Sequence, residues 1–408
     1  MSNPILALIP SGQKATKVYS VLPSDGSGDF TFDRDTVATR VRKDGLIEEV
    51  AADIPRLDWL NSNCPNLLLE PSSSNLVPYS EDFSQWTVSS TTVSASTIPA
   101  PTGKPTAYKL LATNADANHQ LNSDTFAIVS GAITGSLFVK KGNLNFIRLR
   151  FNGSTSTVRA WFDIQNGVVG TVDAGGQSSI EDYGNGWYRC TLTETVNTAA
   201  TSSASLQIFL NESDAQTTWD ADGDEYAYIF GAQIEQKSAS TSYIPNLSTG
   251  STTRNVDICT DAGDANTFND NEGVLYAEIA ALANDGTSRR ISLSDGGSSD
   301  RLEIFYGTIA NRIDYHIYSG SSFQASGFSL LSSATDFNKI AVKYKENDFA
   351  LWVNGTEAST DPSGNTPIGL NKLQLQDATG SNDFYGKVKD LRYYDTALTD
   401  AELKKLTT

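Results

Sequence analysis

The run Phe349-Ala350-Leu351-Trp352-Val353-Asn354-Gly355 decides the fold class of this chain. Five apolar residues of strand-forming type lead straight into an Asn-Gly pair. That pair suits a type I′ turn, whose two central residues both need positive φ, so the run reads as one arm of a β-hairpin. A second stretch, Ser136-Leu137-Phe138-Val139-Lys140-Lys141 and Leu144 to Phe151 joined at Gly142-Asn143, reads the same way. Outward from these, short alternating runs recur roughly every eight to twelve residues with Gly, Asn, Asp and Ser between them, a spacing that favours sandwiches or barrels over βαβ units. One helical signal stands out: Thr399-Asp400-Ala401-Glu402 can cap a short amphipathic turn over Leu403 to Leu406. The expected fold is all-β, an irregular N-terminal arm followed by two antiparallel β-sandwich (jelly-roll) domains.

Boundaries follow from composition. Residues 1–74 are irregular and dense in proline, and Glu70-Pro71-Ser72-Ser73-Ser74 marks their end. Residues 75–250 form a first β-rich block. Ser248 to Thr253 reads as a linker, and residues 251–408 form a second block of about one sandwich. No internal repeat is evident, which argues against solenoids and propellers.

Composition narrows the function. The 408 residues carry 48 acidic against 30 basic side chains, a net charge of −18, and only 19% of them are charged. Ten per cent aromatic content argues against a disordered chain. No basic stripe is visible, so nucleic acid is not an expected partner. Two histidines, His119 and His316, leave little for histidine-based catalysis. Cys64, Cys190 and Cys259 are widely spaced and fit neither a disulfide framework nor a zinc site. The apolar run Ile5 to Ile9 is too short for a secretory signal, and no 18-residue apolar stretch exists, so neither export by a signal peptide nor membrane insertion is expected. The acidic balance reads as a solubility device.

Several long motifs carry a resemblance. Phe32-Asp33-Arg34, Ala38 to Val41, Asp44 to Glu48, Pro55 to Asp58 and Leu67-Leu68-Leu69-Glu70-Pro71, followed by Asn75-Leu76 and Tyr79 to Ser84, resemble the N-terminal region of bacteriophage tail-fibre or head-fibre proteins. Phe138 to Gly142, Phe162-Asp163-Ile164, Ile180 to Cys190, Phe230 to Glu235 and Thr241 to Pro245 look like the carbohydrate-binding-module-like β-sandwich of those proteins. Ala350 to Gly355, Gly386 to Tyr394 and Ala397 to Glu402 resemble a concanavalin A-like, laminin-G-type jelly roll. The resemblance implies a place on the virion surface, other virion proteins as partners, contact with a host cell-surface glycan, and a homo-oligomer, trimers being common among such fibres. Under it, residues 1–74 would serve attachment or oligomerisation.

Sugar sites use aromatic faces against pyranose C–H groups, with polar side chains on the hydroxyls. Trp161, Tyr183, Trp219, Tyr306 and Tyr315 are the candidates for glycan contact, whereas Trp187 and Trp352 sit in strand motifs that suit a core. The loop Asp220-Ala221-Asp222-Gly223-Asp224-Glu225 places Asp220, Asp222 and Asp224 at alternate positions, as a calcium loop would, but without the later glycine and glutamate of an EF-hand. Structural Ca²⁺ is therefore the one cofactor it suggests, against the plainer reading of a solvated turn; Asp270 with Glu272 forms a second acidic loop of that kind. The E-x-D-x-x-E string of concanavalin-like glucanases is absent, as are G-x-S-x-G and H-E-x-x-H. The expected protein is thus not an enzyme but a phage virion structural protein that displays glycan-binding sandwiches for host attachment. The alternatives are a polysaccharide-degrading enzyme and an architectural capsid decoration protein without a ligand.

Overall fold

The computed structural model describes residues 2–153, 158–197 and 202–408. The fold is all-β and antiparallel throughout. Among the described residues the one α-helix is Asp400–Thr407. It starts where the capping signal placed it: the Thr399 backbone N–H and hydroxyl both donate to Glu402 Oε2, at 3.0 and 2.8 Å.

The first sandwich stacks a sheet containing Phe146–Asn152, Arg159–Asp163 and Ser202–Asn211 on one containing Gly131–Lys141, Trp187–Val196 and Tyr226–Glu235. Leu137, Val139, Leu149, Phe162, Leu206 and Ile229 fill the space between them. The second sandwich stacks a sheet built on Glu272–Ala281, Asn338–Lys345, Phe349–Val353 and Gly386–Tyr394 on a five-stranded sheet running from Lys372–Gln374 to Ser322–Leu330.

The two hairpin readings part company. Phe349–Val353 pairs with Thr356–Asp361 through Asn354 and Gly355 at φ +48° and +80°, the type I′ geometry that the Asn-Gly pair favours. Gly131–Lys141 and Phe146–Asn152, by contrast, lie in different sheets, so Gly142-Asn143 is a crossover and not a hairpin turn. Both strands are largely buried, and each finds its partners elsewhere. Asn143 bonds across to the backbone of Asp224 and Tyr226, at 3.0 and 2.8 Å. A Cβ on Gly142 would stand 2.4 Å from the Tyr226 ring, so that glycine permits a close approach.

The N-terminal 74 residues are not an irregular arm in space. Leu6–Leu8 pairs with Tyr393 to Leu391, and Asn66–Leu69 pairs with Gly386 to Val388. Both extend a sheet of the second sandwich, and Leu6, Leu8, Phe30, Phe32 and Leu67 enter its core. The hairpin Ala38–Val41 with Ile47–Val50 instead lies on the first sandwich, where Val41 and Ile47 meet Phe138, Trp187 and Tyr243. The stretches expected to mark the two boundaries meet each other: Ser73–Asn75 pairs with Thr252–Arg254, and the Ser74 and Thr253 hydroxyls are 2.6 Å apart.

Behind that seam lies a buried polar network. Arg56 donates to Glu70 at 2.6 Å and to Ser242 at 2.7 Å, and also reaches Asp257. Arg34 donates to Asp257 at 3.0 Å, and Arg254 pairs with Glu70. Every one of these charged side chains is buried. Removing a charge from water is costly, and here each charge keeps an opposite partner and further hydrogen bonds.

Candidate functional site

Five of the residues expected to touch a ligand are interior. Tyr306 and Tyr315 belong to the core of the second sandwich, where burial pushes the Tyr315 phenol up to about 12. Trp219 is in the core of the first, its indole N–H donating to the Leu210 carbonyl at 3.1 Å. Tyr183 lies under the Ala38–Val41 hairpin with its ring edge-on to Phe138 at 4.9 Å. Trp161 is covered by Arg148 and Arg159, with its N–H bonded to Gln216 O at 2.7 Å. An aromatic face without solvent contact has nothing to offer a sugar, so these rings serve packing.

The acidic loop is also committed. Glu225 accepts the backbone N–H groups of Asp222, Gly223 and Asp224 at 3.0 to 3.2 Å, closing the turn with the chain's own carboxylate. Among the described residues no three acidic, histidine or cysteine side chains gather as a metal site. Asp220, in the strand Trp219–Ala221, and Asp222 and Asp224, in the turn after it, are therefore exposed carboxylates, and the loop offers Ca²⁺ no cage. Asp270 instead holds the backbone N–H groups of Gly369 and Leu370 at 2.7 and 2.9 Å.

The aromatic groups that reach solvent, Tyr318, Phe323 and Phe328 with the half-buried His316, lie on the outer face of the five-stranded sheet, over a buried Phe305. In Arg301–Tyr306, Leu302, Ile304 and Tyr306 point into the core, so Arg301, Glu303 and Phe305 point out. In Arg312–Ser319, Ile313, Tyr315 and Ile317 point in, so Arg312, Asp314, His316 and Tyr318 point out. The edge strand Ser322–Leu330 adds Phe323 and Phe328, 53% and 49% exposed. Together they make an aromatic platform on the outer face of the five-stranded sheet. Tyr318 and Phe323 meet edge-on at 5.4 Å, and His316 stands 5.6 Å from Phe323 and 4.7 Å from Phe305.

Arginines frame this platform. Arg301 lies over Tyr318 at 3.7 Å, Arg312 over Phe328 at 4.1 Å and Arg290 over Phe305 at 4.2 Å. Carboxylates fix them in place: Glu303 takes Arg290 at 2.8 Å and Arg301 at 3.2 Å, while Asp314 takes Arg312 at 3.0 Å. Burial holds the His316 imidazole below its ordinary value, so it is neutral at pH 7. The face offers flat apolar rings beside preset donors and acceptors, the mixture a saccharide requires. The opposite sheet has no such face, because Leu403 of the C-terminal helix covers Tyr276, Trp352 and Tyr394.

The platform thus sits on a concanavalin A-like jelly roll. Residues 258–404 match the laminin G type 3 model of the concanavalin A-like lectin/glucanases superfamily. No curated protein matches the sequence. Among solved structures, the chain is similar to the CBM40 module of a Ruminococcus gnavus IT-sialidase bound to α2,3-sialyllactose, at 14% identity over 36% of this chain and 94% of that one, TM-score 0.31. It is similar to domain 4 of a GH43 arabinanase from Geobacillus stearothermophilus in complex with arabinotriose, at 13% identity over 42% and 84%, TM-score 0.32. Domains LG4-5 of the mouse laminin α1 chain align at 10% identity over 70% and 90%, TM-score 0.25. At these scores the likeness carries no functional information.

Proposed function

We propose that the chain is a non-catalytic glycan-binding protein on the surface of a bacteriophage particle, a tail- or head-fibre component that attaches the particle to a host-surface polysaccharide. The exposed aromatic and arginine face of the second sandwich carries the binding part of this reading, since solvent-facing rings held beside fixed polar groups suit sugar rings. The lectin-type family match over residues 258–404 supports it. The virion part draws on the resemblance of the segments around Phe32 to Glu70 and Ile180 to Cys190 to phage fibre proteins. In this reading the chain sits among other virion proteins and assembles with copies of itself. The N-terminal segment is already paired within its own chain, so assembly uses the outer surfaces of the sandwiches.

The full chain displayed over an array of bacterial surface polysaccharides tests the binding part. Saturable binding to a defined subset is expected; uniform absence of binding would remove the receptor role. Detection of the chain in purified phage particles tests its placement separately.

A further inference from the structure

A cleft of about 440 Å³ lies where the three parts of the chain meet. The N-terminal segment contributes Asp58, Leu60 and Asn61, the first sandwich Glu181, Tyr183 and Arg189, and the second sandwich Phe337 and Lys387. Its size falls within the roughly 300–1,000 Å³ range of small-molecule sites, and junctions between domains are a preferred place for them. Asn61, Thr335 and Asp336 are exposed at its mouth, while Tyr183, Arg189 and Thr241 are buried in its floor.

The groups on its walls decide the ligand class. Asp58 accepts the backbone N–H of Val41 at 2.8 Å and stands 3.6 Å from the Lys387 ammonium. Among the described residues Glu181 accepts from Asn61 Nδ2, at 2.9 Å, and it lies opposite Arg189 in the strand register. Burial pushes its carboxyl above the ordinary glutamate value. The lining carries the carboxyl groups of Asp58, Glu70, Glu181 and Asp336 beside the cationic side chains of Arg40, Arg189 and Lys387, so a ligand of either charge meets groups of its own sign. A neutral ligand with many hydroxyls satisfies both kinds of group and can rest a C–H face on the half-buried ring of Phe337. We infer that this cleft binds a short neutral saccharide between the two sandwiches, gripped by Asp58, Glu181, Asn61 and Lys387. The ligand class is the one proposed above, but the site is separate from the aromatic face.

Saturation-transfer NMR on the full chain tests it, with galactose, N-acetylglucosamine, lactose and maltose as probes and putrescine and glucuronate as charged controls. At least one neutral sugar is expected to bind. Glu181→Ala and Asn61→Ala should each weaken it about tenfold, the size of a lost hydrogen bond to a charged or strongly polar group. Ser240→Trp, which places a bulky ring in the lining, should abolish it, and Phe323→Ala should leave it unchanged. No neutral sugar binding, binding only of putrescine or glucuronate, or binding that survives Glu181→Ala and Asn61→Ala would overturn the assignment. Loss of the signal in Phe323→Ala would overturn it too, by moving the sugar to the outer face; polysaccharide binding lost on the array while the cleft still takes a sugar would instead remove only the platform.

Discussion

Arg34 Nη1 lies 3.0 Å from Asp257 Oδ1, with both side chains fully buried although they stand 223 positions apart in sequence. Through Arg56 and Glu70 the same network joins the N-terminal segment to Ser242 in the first block and to Arg254 and Asp257 at the start of the second. The three parts of the chain are therefore held as one unit by charges that cannot be separated cheaply.

Breaking one partner of this network leaves an uncompensated buried charge. Glu70→Gln, which strands Arg254 and leaves Arg56 with Asp257 as its remaining counter-charge, should cost about 3–5 kcal/mol. Calorimetry should show the whole chain melting earlier in a single transition; an unchanged melting temperature would contradict the network's role.

The arginines beside Glu70 hold its carboxyl far below the ordinary glutamate value, even against the burial that pushes it up. A depressed folded pKa means the stabilisation is full above the unfolded value of about 4.3 and is lost as pH falls below it. Denaturant titrations should show stability dropping steeply below about pH 4 in the wild type, and less steeply in Glu70→Gln.

His316 should titrate below about 6.5, because burial disfavours its charged form. The same sign rule applies: its contribution to stability is full above about pH 6.5 and declines as pH falls. NMR titration of the ring protons reads the midpoint directly, and a value above 6.5 would contradict the packing of the ring against Phe305.

Gly355→Ala places a side chain at φ +80°, where its Cβ would also come 2.9 Å from the Thr408 hydroxyl. A cost of about 1–2 kcal/mol is expected from the left-handed backbone. Gly142→Ala should cost about 1–3 kcal/mol for a different reason, the collision with Tyr226. Equal stability of either variant with wild type, measured by denaturation, would show that the local geometry relaxes.

Much of the fold was legible because its signals are local. The Asn354-Gly355 turn and the Thr399 to Glu402 cap are each set by a few adjacent residues whose backbone needs are specific. What failed to show was partnership at long range. Nothing near Gly142 says that the next strand belongs to the other sheet, and nothing near Leu6 says that it pairs with Tyr393. The site was missed by parity. Ile313-Asp314-Tyr315-His316-Ile317-Tyr318 alternates cleanly, and the isoleucines mark the inward set, which carries Tyr315 inside with them. Reading that alternation first would have pointed to His316 and Tyr318.

The central claim is that the outer face of the second sandwich binds glycan through Phe323, Phe328 and Tyr318. Calorimetric titration of the array's best polysaccharide into wild type and into Phe323→Ala/Phe328→Ala tests it most directly. Both rings are exposed, so the variant should fold normally and lose about 2 kcal/mol of binding, some thirtyfold in Kd. Equal affinity in the two proteins would contradict it.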